Sequence, residues 1–453
     1  MGSRHKMDFT TGSVTKKLII FALPLVFTNF VQHLYSAADS AVVGRFVGKI
    51  ALAAVGSTTS ATALLTNLLV GLAAGAGIIN ANLLGAGKKT ELRRSMHTGM
   101  MVGAVSGVLL AVIGILLSRP LMILLNCPEN VIDLSVTYIR IIFCGTPGSI
   151  IYNFGSGILR THGDSKRPMV IILTSGAVNV VLNLIFVIFL KLSVVGVALA
   201  TIVSNYLSAF FVLRILFNPN GDYRLKIREL KLHKEETWNI LRVGIPCGLN
   251  AAMFNISSAV VTAGVNSFGD TVIAASSAST SITSLLTQMI TGFFTAVLSF
   301  SGQCYGAGKY KRIDQVAWIS MGICVSIMSV FATVITLFPQ MFIGIFNTDP
   351  GVIKIGSQKM VLMSWSFVFY AIADMYMACL RGMKKTLMPT LFNVFSVCIV
   401  RILWVLIVCP LNPTSYMLMF WCYPVSYFCN FLVIIPYYLY CRKKCFIPIE
   451  EVT

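Results

Sequence analysis

The stretch Leu64-Leu65-Thr66, followed by Gly71, returns as Leu285-Leu286-Thr287, followed by Gly292, 221 residues further on. The same spacing relates Gly85-Ala86-Gly87-Lys88 to Gly306-Ala307-Gly308-Lys309, and Leu159-Arg160 with Pro168 to Leu380-Arg381 with Pro389. Three matches in one register make the chain an internal duplication. Each copy also carries an apolar segment with an internal proline, Pro24 and Pro246, offset by 222, so one residue of slippage separates them from the rest. In a membrane protein, a duplicated lobe points to a cleft between two pseudo-symmetric halves, the plan of a secondary transporter.

Composition places the chain in a membrane. Of 453 residues, 56% are hydrophobic and 11% charged, with mean hydropathy +0.82, whereas a soluble domain carries about 25% charged residues. Crossing hydrocarbon as a helix takes roughly 20 apolar residues, and twelve runs are long enough. They lie near 17–43, 51–84, 95–117, 130–159, 168–190 and 194–217, then 238–268, 271–304, 315–337, 352–380, 388–409 and 415–440. The expected fold is an all-α membrane protein of twelve transmembrane helices in two six-helix lobes. The N-lobe is 14–217, the polar linker 218–237 and the C-lobe 238–440. Six spans return the chain to its starting side, so both copies share one orientation and their axis lies near the membrane normal.

Most of the 35 lysines and arginines fall in the termini and loops of one side, including 88–94, 160–167, 214–242, 309–312, 381–385 and 442–444. The opposite loops hold Arg45, Lys49, Arg119, Lys191, Lys354 and Lys359, while Arg140 and Arg401 lie inside spans. This asymmetry predicts a multi-pass protein of the plasma membrane with both termini in the cytoplasm. It also accounts for the net charge of +19. Short basic loops between apolar spans suit anionic lipid headgroups, not nucleic acid.

No P-loop, GxSxG, HExxH or dinucleotide fingerprint stands in a fitting context, so neither an enzyme nor a cofactor is expected. The twelve cysteines fall mostly within spans without CxxC or zinc spacing and read as buried reduced thiols. With no ATP site, uphill transport must borrow an ion gradient, of H⁺ or Na⁺. Of 16 acidic residues, only Asp39 and Asp374 lie well inside spans. An aspartate at helix centre costs about 2.5–3.5 kcal/mol, so its retention points to a role. One reading is a carboxylate that binds and releases a cation; the other is a carboxylate paired with Arg140 or Arg401 to hold helices together. Pro24 removes a backbone bond from the helix of Asp39 and invites a bend. Asn179 and Asn183 share one helix face and Thr201 lies in the next span, so with Asp39 they offer hard oxygen ligands suited to Na⁺. Amide and hydroxyl groups gluing helices together would use the same spacing.

These residues carry a resemblance. Ala22-Leu23-Pro24 with Asp39, the Gly85-Ala86-Gly87-Lys88 turn and Leu159-Arg160 before Pro168 make the chain similar to the multidrug and toxic compound extrusion (MATE) transporters over 14–440. The resemblance implies two six-helix lobes forming a V around a central cavity, with Asp39 and Pro24 in cation coupling. It also implies a cation site at Asp39, Asn179, Asn183 and Thr201, as in archaeal-type members, although Asn183 stands where those have aspartate. Asp374 resembles the tenth-span carboxylate of another branch, whose seventh-span glutamate is replaced here by Asn255 or Phe254.

Substrate recognition is legible as a class. Phe254, Tyr370, Met253 and Met289 are expected at the cavity edge, where aromatic faces and thioethers accept varied apolar cations. Asn255 and Gln288 are its expected polar groups, since amides facing lipid would go unsatisfied. The expectation is a monomeric cation-coupled antiporter that exports small organic, often cationic, molecules by alternating access. A lipid-linked oligosaccharide flippase of the same superfamily is the alternative, as is a membrane receptor or structural protein without a transport cycle.

Overall fold

The computed structural model describes residues 7–125, 127–219, 224–412 and 414–445, and among them there are helices and no strand. Among the described residues eleven helices are long and apolar enough to cross a membrane, and a bent pair brings the count up to twelve: α1 Val14–Phe46, α2 Ile50–Gly85, α3 Lys89–Leu124, the pair α4 in two arms (Glu129–Cys144 and Thr146–Thr161), α5 Lys166–Phe189 and α6 Ser193–Leu216. The second copy gives α7 Lys234–Asn266, α8 Asp270–Gly306, α9 Tyr310–Leu337, α10 Pro350–Gly382, α11 Leu387–Leu411 and α12 Tyr416–Lys444. The arms of α4 meet at Gly145 with a bend of 41°, where Pro147 removes a backbone donor. Each expected run matches one of these spans, and four of them (168–190, 194–217, 238–268 and 415–440) overshoot it by one or two residues. Large apolar side chains such as Leu116, Phe189 and Leu337 stand exposed on their outer faces, as lipid solvation requires.

Two compact units emerge. Unit 1 comprises the described residues of Met1–Asp8 and Phe27–Ala252; unit 2 comprises Phe9–Val26 and the described residues of Met253–Thr453. The cuts fall inside α1 and α7, shortly after Pro24 and Pro246, and not at the 218–237 linker that divides the sequence copies. Each unit thus takes in the opening half of the other copy's proline helix.

The repeated sequence matches mark how this is done. In unit 1, a Cβ on Gly71 would fall 2.2 Å from the backbone nitrogen of Gly248, and one on Gly75 would fall 2.5 Å from Cα of Gly244. In unit 2, a Cβ on Gly292, the partner of Gly71, would fall 2.7 Å from Cα of Val26. Backbones that close tolerate only glycine, the small-residue packing of membrane helices. The repeated Gly-Ala-Gly-Lys is a helix stop: Gly87 (φ 71°) and Gly308 (φ 68°) are left-handed. Lys88 N–H returns to Leu83 O at 3.1 Å, and Lys309 N–H to Cys304 O at 2.9 Å. Such a turn satisfies the last helical carbonyls and favours glycine.

In unit 2 the segment before α1 is held by the start of α9. Phe9 is fully buried and stacks on Phe300 at 4.7 Å. Arg312 donates to the carbonyls of Phe9 (2.7 Å), Thr11 (2.6 Å) and Gly12 (2.7 Å). In unit 1 the segment before α7 is held by α3: Lys226 N–H donates to His97 Nε2 at 2.9 Å, and Arg93 pairs with Glu229 at 2.6 Å.

Candidate functional site

The second half of α1 docks on α5 through Tyr35, Asp39 and Val43, which lie four residues apart on one face. Tyr35 fits its ring into a notch at Gly176, where a Cβ would fall 1.7 Å from the ring, and its hydroxyl donates to Leu173 O at 3.2 Å. One turn on, Asn183 Nδ2 donates to Asp39 Oδ1 at 2.5 Å and to Asn179 Oδ1 at 3.3 Å. Both hydrogens of that amide are then used, while Asn183 Oδ1 is buried with no partner. One turn further, Val43, Val187 and Val197 join one apolar cluster against which Tyr138 packs. Val197 lies one turn from Thr201 on α6, which runs antiparallel to α1 and α5, so Thr201 stands level with the Asp39–Asn183 pair. The Thr201 hydroxyl donates to its own helix at Val197 O, 3.0 Å away. Tyr138 lies within electrostatic reach of the Asp39 carboxylate.

Among the described residues, no arginine or lysine stands within salt-bridge distance of Asp39. Arg140 instead donates Nε to Ser118 Oγ at 2.9 Å. The arrangement is one half-buried carboxylate, two amides and a hydroxyl: hard oxygen donors that suit a proton or an alkali cation. No group of three His, Cys, Asp or Glu poised for a metal occurs among the described residues.

Asp374, in α10 of unit 2, is 8% exposed and lies within electrostatic reach of Arg381, two turns on. Arg381 is itself buried, with Nε and Nη2 lacking hydrogen-bond partners, and its guanidinium lies 5.5 Å over the Phe294 ring. Of the expected recognition residues, Tyr370 packs on Tyr427 at 4.9 Å and Phe254 lies 5.4 Å from the Arg401 guanidinium. Asn255 has a buried Nδ2 without a partner, while Met253, Gln288 and Met289 are half-buried on α7 and α8. Pro24 sits inside α1, two residues before the chain passes from unit 2 to unit 1.

The MatE family model matches the chain twice, over residues 24–185 and 246–407. The chain belongs to the MatE family. The two matches reproduce the duplication and begin at its two prolines. Among relatives of this MatE chain, the probable multidrug resistance protein YoeA of Bacillus subtilis (strain 168) is 27% identical over 95% of each chain. An FAD transporter of Shewanella oneidensis is 23% identical over 78% of each. A solved MOP superfamily transporter from Pyrococcus furiosus superposes with TM-score 0.91 at 21% identity, over 99% of this chain and 100% of its own. The all-helical fold with up to twelve spans is therefore that of a MatE transporter.

Charge counting set two lysines of this MatE chain in a loop, Lys354 and Lys359, although the expected run 352–380 holds both and both lie in α10. Lys359, assigned above to a loop, lies inside α10 with 1% exposure. It can stay there because Ser276 and Thr280 of α8 accept from its ammonium at 2.6 and 3.0 Å. Only the pairing of α8 with α10 supplies those oxygens, so no local signal marked its partners. Arg401, considered above only as a carboxylate partner, is fully buried and ringed by Phe254, Tyr423 and Tyr427. The eleven cysteines from Cys127 to Cys441 are free, but Cys144 is exposed, not buried.

Proposed function

We propose that this MatE protein is a monomeric cation-coupled antiporter of the cell membrane that exports small organic, often cationic, molecules by alternating access. Both termini lie in the cytoplasm on this reading, basic loops meet lipid headgroups, and the protein is not an enzyme. The multidrug name of its relative YoeA supports the class of cargo. The observation that carries the coupling role is the Asp39–Asn183 pair, with the buried unpartnered Asn183 Oδ1 beside it. A buried acceptor left open is costly. A proton carried on Asp39, or a Na⁺ ion bridging the two oxygens, would satisfy it.

In this reading Asp39 holds H⁺ or Na⁺, with Asn179, Asn183 and Thr201 completing the oxygen set, and Asp374 serves as a second coupling carboxylate. A bend at Pro24 would change the setting of the half of α1 that carries Asp39. Cargo would meet Phe254, Met253, Met289, Tyr370, Asn255 and Gln288. Coupling requires that ion and cargo favour different conformations, since a ligand with equal affinity for both shifts nothing.

The test is reconstitution in liposomes with pH and Na⁺ gradients imposed separately and ethidium as reporter. One gradient is expected to drive flux in the wild type and to fail with Asp39→Asn. Flux that persists in that variant under either gradient would overturn the coupling role.

A further inference from the structure

We propose that unit 2 carries a binding site for an anionic group, a halide ion or the carboxylate of a cargo molecule, between Lys359 of α10 and Arg401 of α11. Its transport consequence rests on the exporter reading above; the binding itself does not.

Lys359 and Arg401 are 1% and 0% exposed. Both stand against one ring: the Tyr423 centroid is 5.7 Å from Lys359 Nζ and 4.7 Å from Arg401 Cζ. Tyr427 at 4.8 Å and Phe254 at 5.4 Å complete an aromatic wall around the guanidinium. Arg401 Nε donates to Ser426 Oγ at 2.9 Å and the Tyr427 hydroxyl lies near enough to act on the guanidinium as an acceptor, but Nη1 and Nη2 are buried and neither makes a direct hydrogen bond. Among the described residues, no carboxylate comes within salt-bridge distance of either cation.

Aromatic faces stabilise a desolvated cation, yet a ring face accepts no hydrogen bond in the plane of the guanidinium. Two buried guanidinium nitrogens and two like charges are left over, the Lys359 ammonium being held by the oxygens of Ser276 and Thr280 but by no anion. Buried charges persist where they are paired, and the missing partner has the chemistry of a small anion.

The duplication supplies a second line of reasoning. A π-turn holds one residue more than the α-helix it interrupts, and one lies at Val394–Ile399, just before Arg401. The offset between copies is 221 ahead of it, at Pro168 and Pro389, and 222 beyond it, where the family matches end at 185 and 407. Packing agrees: Val43, Val187 and Val197 share one cluster, and Val265, Cys409 and Met419, each 222 residues on, share another. In this register Arg401 answers to Asn179, Tyr423 to Thr201 and Val261 to Asp39, while Lys359 answers to Tyr138 at 221. Unit 1 sets the amides of Asn183 and Asn179 beside a carboxylate, with the Tyr138 phenol within its electrostatic reach. Unit 2 puts valine in place of the carboxylate and sets a lysine and an arginine around a tyrosine. The same place in the fold offers acceptors in one copy and donors in the other.

Thermal unfolding of the purified full-length protein tests binding, in sodium chloride, bromide or acetate against bulky gluconate at equal Na⁺. A saturable rise of the midpoint with the small anions is expected, lost in Lys359→Met and Arg401→Gln. Equal midpoints in all salts, or a rise that survives both substitutions, would overturn the site. If Arg401→Gln does not fold, Lys359→Met and the charge-keeping Arg401→Lys stand in, the first expected to lose the rise and the second to keep it. Proteoliposome flux then separates the sources. A cargo carboxylate predicts that Lys359→Met lowers flux of a fluoroquinolone, which bears one, about tenfold while ethidium flux holds. A salt effect lost in the variants with both fluxes unchanged assigns the site to an inorganic anion, and supports it equally. Failure of the wild type to carry ethidium under any gradient would sink the exporter reading and leave the salt measurement standing.

Discussion

Asn183 donates to Asp39 at 2.5 Å while its own carbonyl oxygen lies buried without a partner. The amide therefore both steadies the carboxylate and presents an unfilled oxygen beside it. A hydrogen bond to a charged group contributes about 1.5–3 kcal/mol. Asn183→Leu, which keeps the volume and removes both functions, should weaken coupling-ion affinity by about 10- to 100-fold. The measurement is the ion concentration for half-maximal ethidium flux. An unchanged value would mean that Asn183 is packing alone.

Gly71 and Gly77 lie in the same helix but meet different surroundings. A Cβ on Gly71 would strike the Gly248 backbone, whereas one on Gly77 meets nothing within 4 Å. Gly71→Ala is expected to destabilise unit 1 by about 1–3 kcal/mol through overpacking against backbone that cannot yield. Gly77→Ala should be neutral or stabilising by about 1 kcal/mol from helix propensity. Unfolding midpoints of the two purified variants in detergent make the comparison, and equal values would contradict the crossing.

Arg312 donates to three consecutive-region carbonyls, those of Phe9, Thr11 and Gly12. Its removal leaves those acceptors to water and loosens the segment ahead of α1. Arg312→Ala should raise amide hydrogen exchange across residues 9–13 several-fold while the core of α9 stays protected. Unaltered exchange there would show that Phe9 burial alone anchors the segment.

Glu229 supplies the pH dependence outside the membrane. Desolvation pushes its carboxyl up, but the hydrogen bond and charge of Arg93, with Lys226 and His97 nearby, bring it net below its ordinary value. A carboxylate depressed on folding adds stability above its unfolded pKa and loses it as pH falls through the folded one. Protection of residues 226–231 against hydrogen exchange should hold at neutral pH and fall only in acid below the usual glutamate range. Glu229→Gln should remove that dependence. Protection lost well above the glutamate range instead would show that Glu229 is not the group responsible.

Much of the fold was legible because a duplicated chain states each structural demand twice. Gly71 and Gly292, Gly87 and Gly308 repeat because a close crossing and a left-handed helix stop each admit little besides glycine. The apolar runs marked eleven helices and one bent pair for the same kind of reason: hydrocarbon leaves the backbone no partner but its own helix. Asp39, Asn179 and Asn183 were readable as candidates because polar groups are costly in that setting, whatever they do.

What sequence could not decide was partnership. Residues 144 apart, Asp39 and Asn183, meet only because the Tyr35 ring seats at Gly176. Lys359 lies in an apolar run, but its partners Ser276 and Thr280 come to it only through the packing of α8. Local patterning determines which segments enter the membrane, since burial in lipid acts on each residue singly. Tertiary packing decided which charge faces which, because electrostatic pairing depends on distance between side chains and not on their order along the chain.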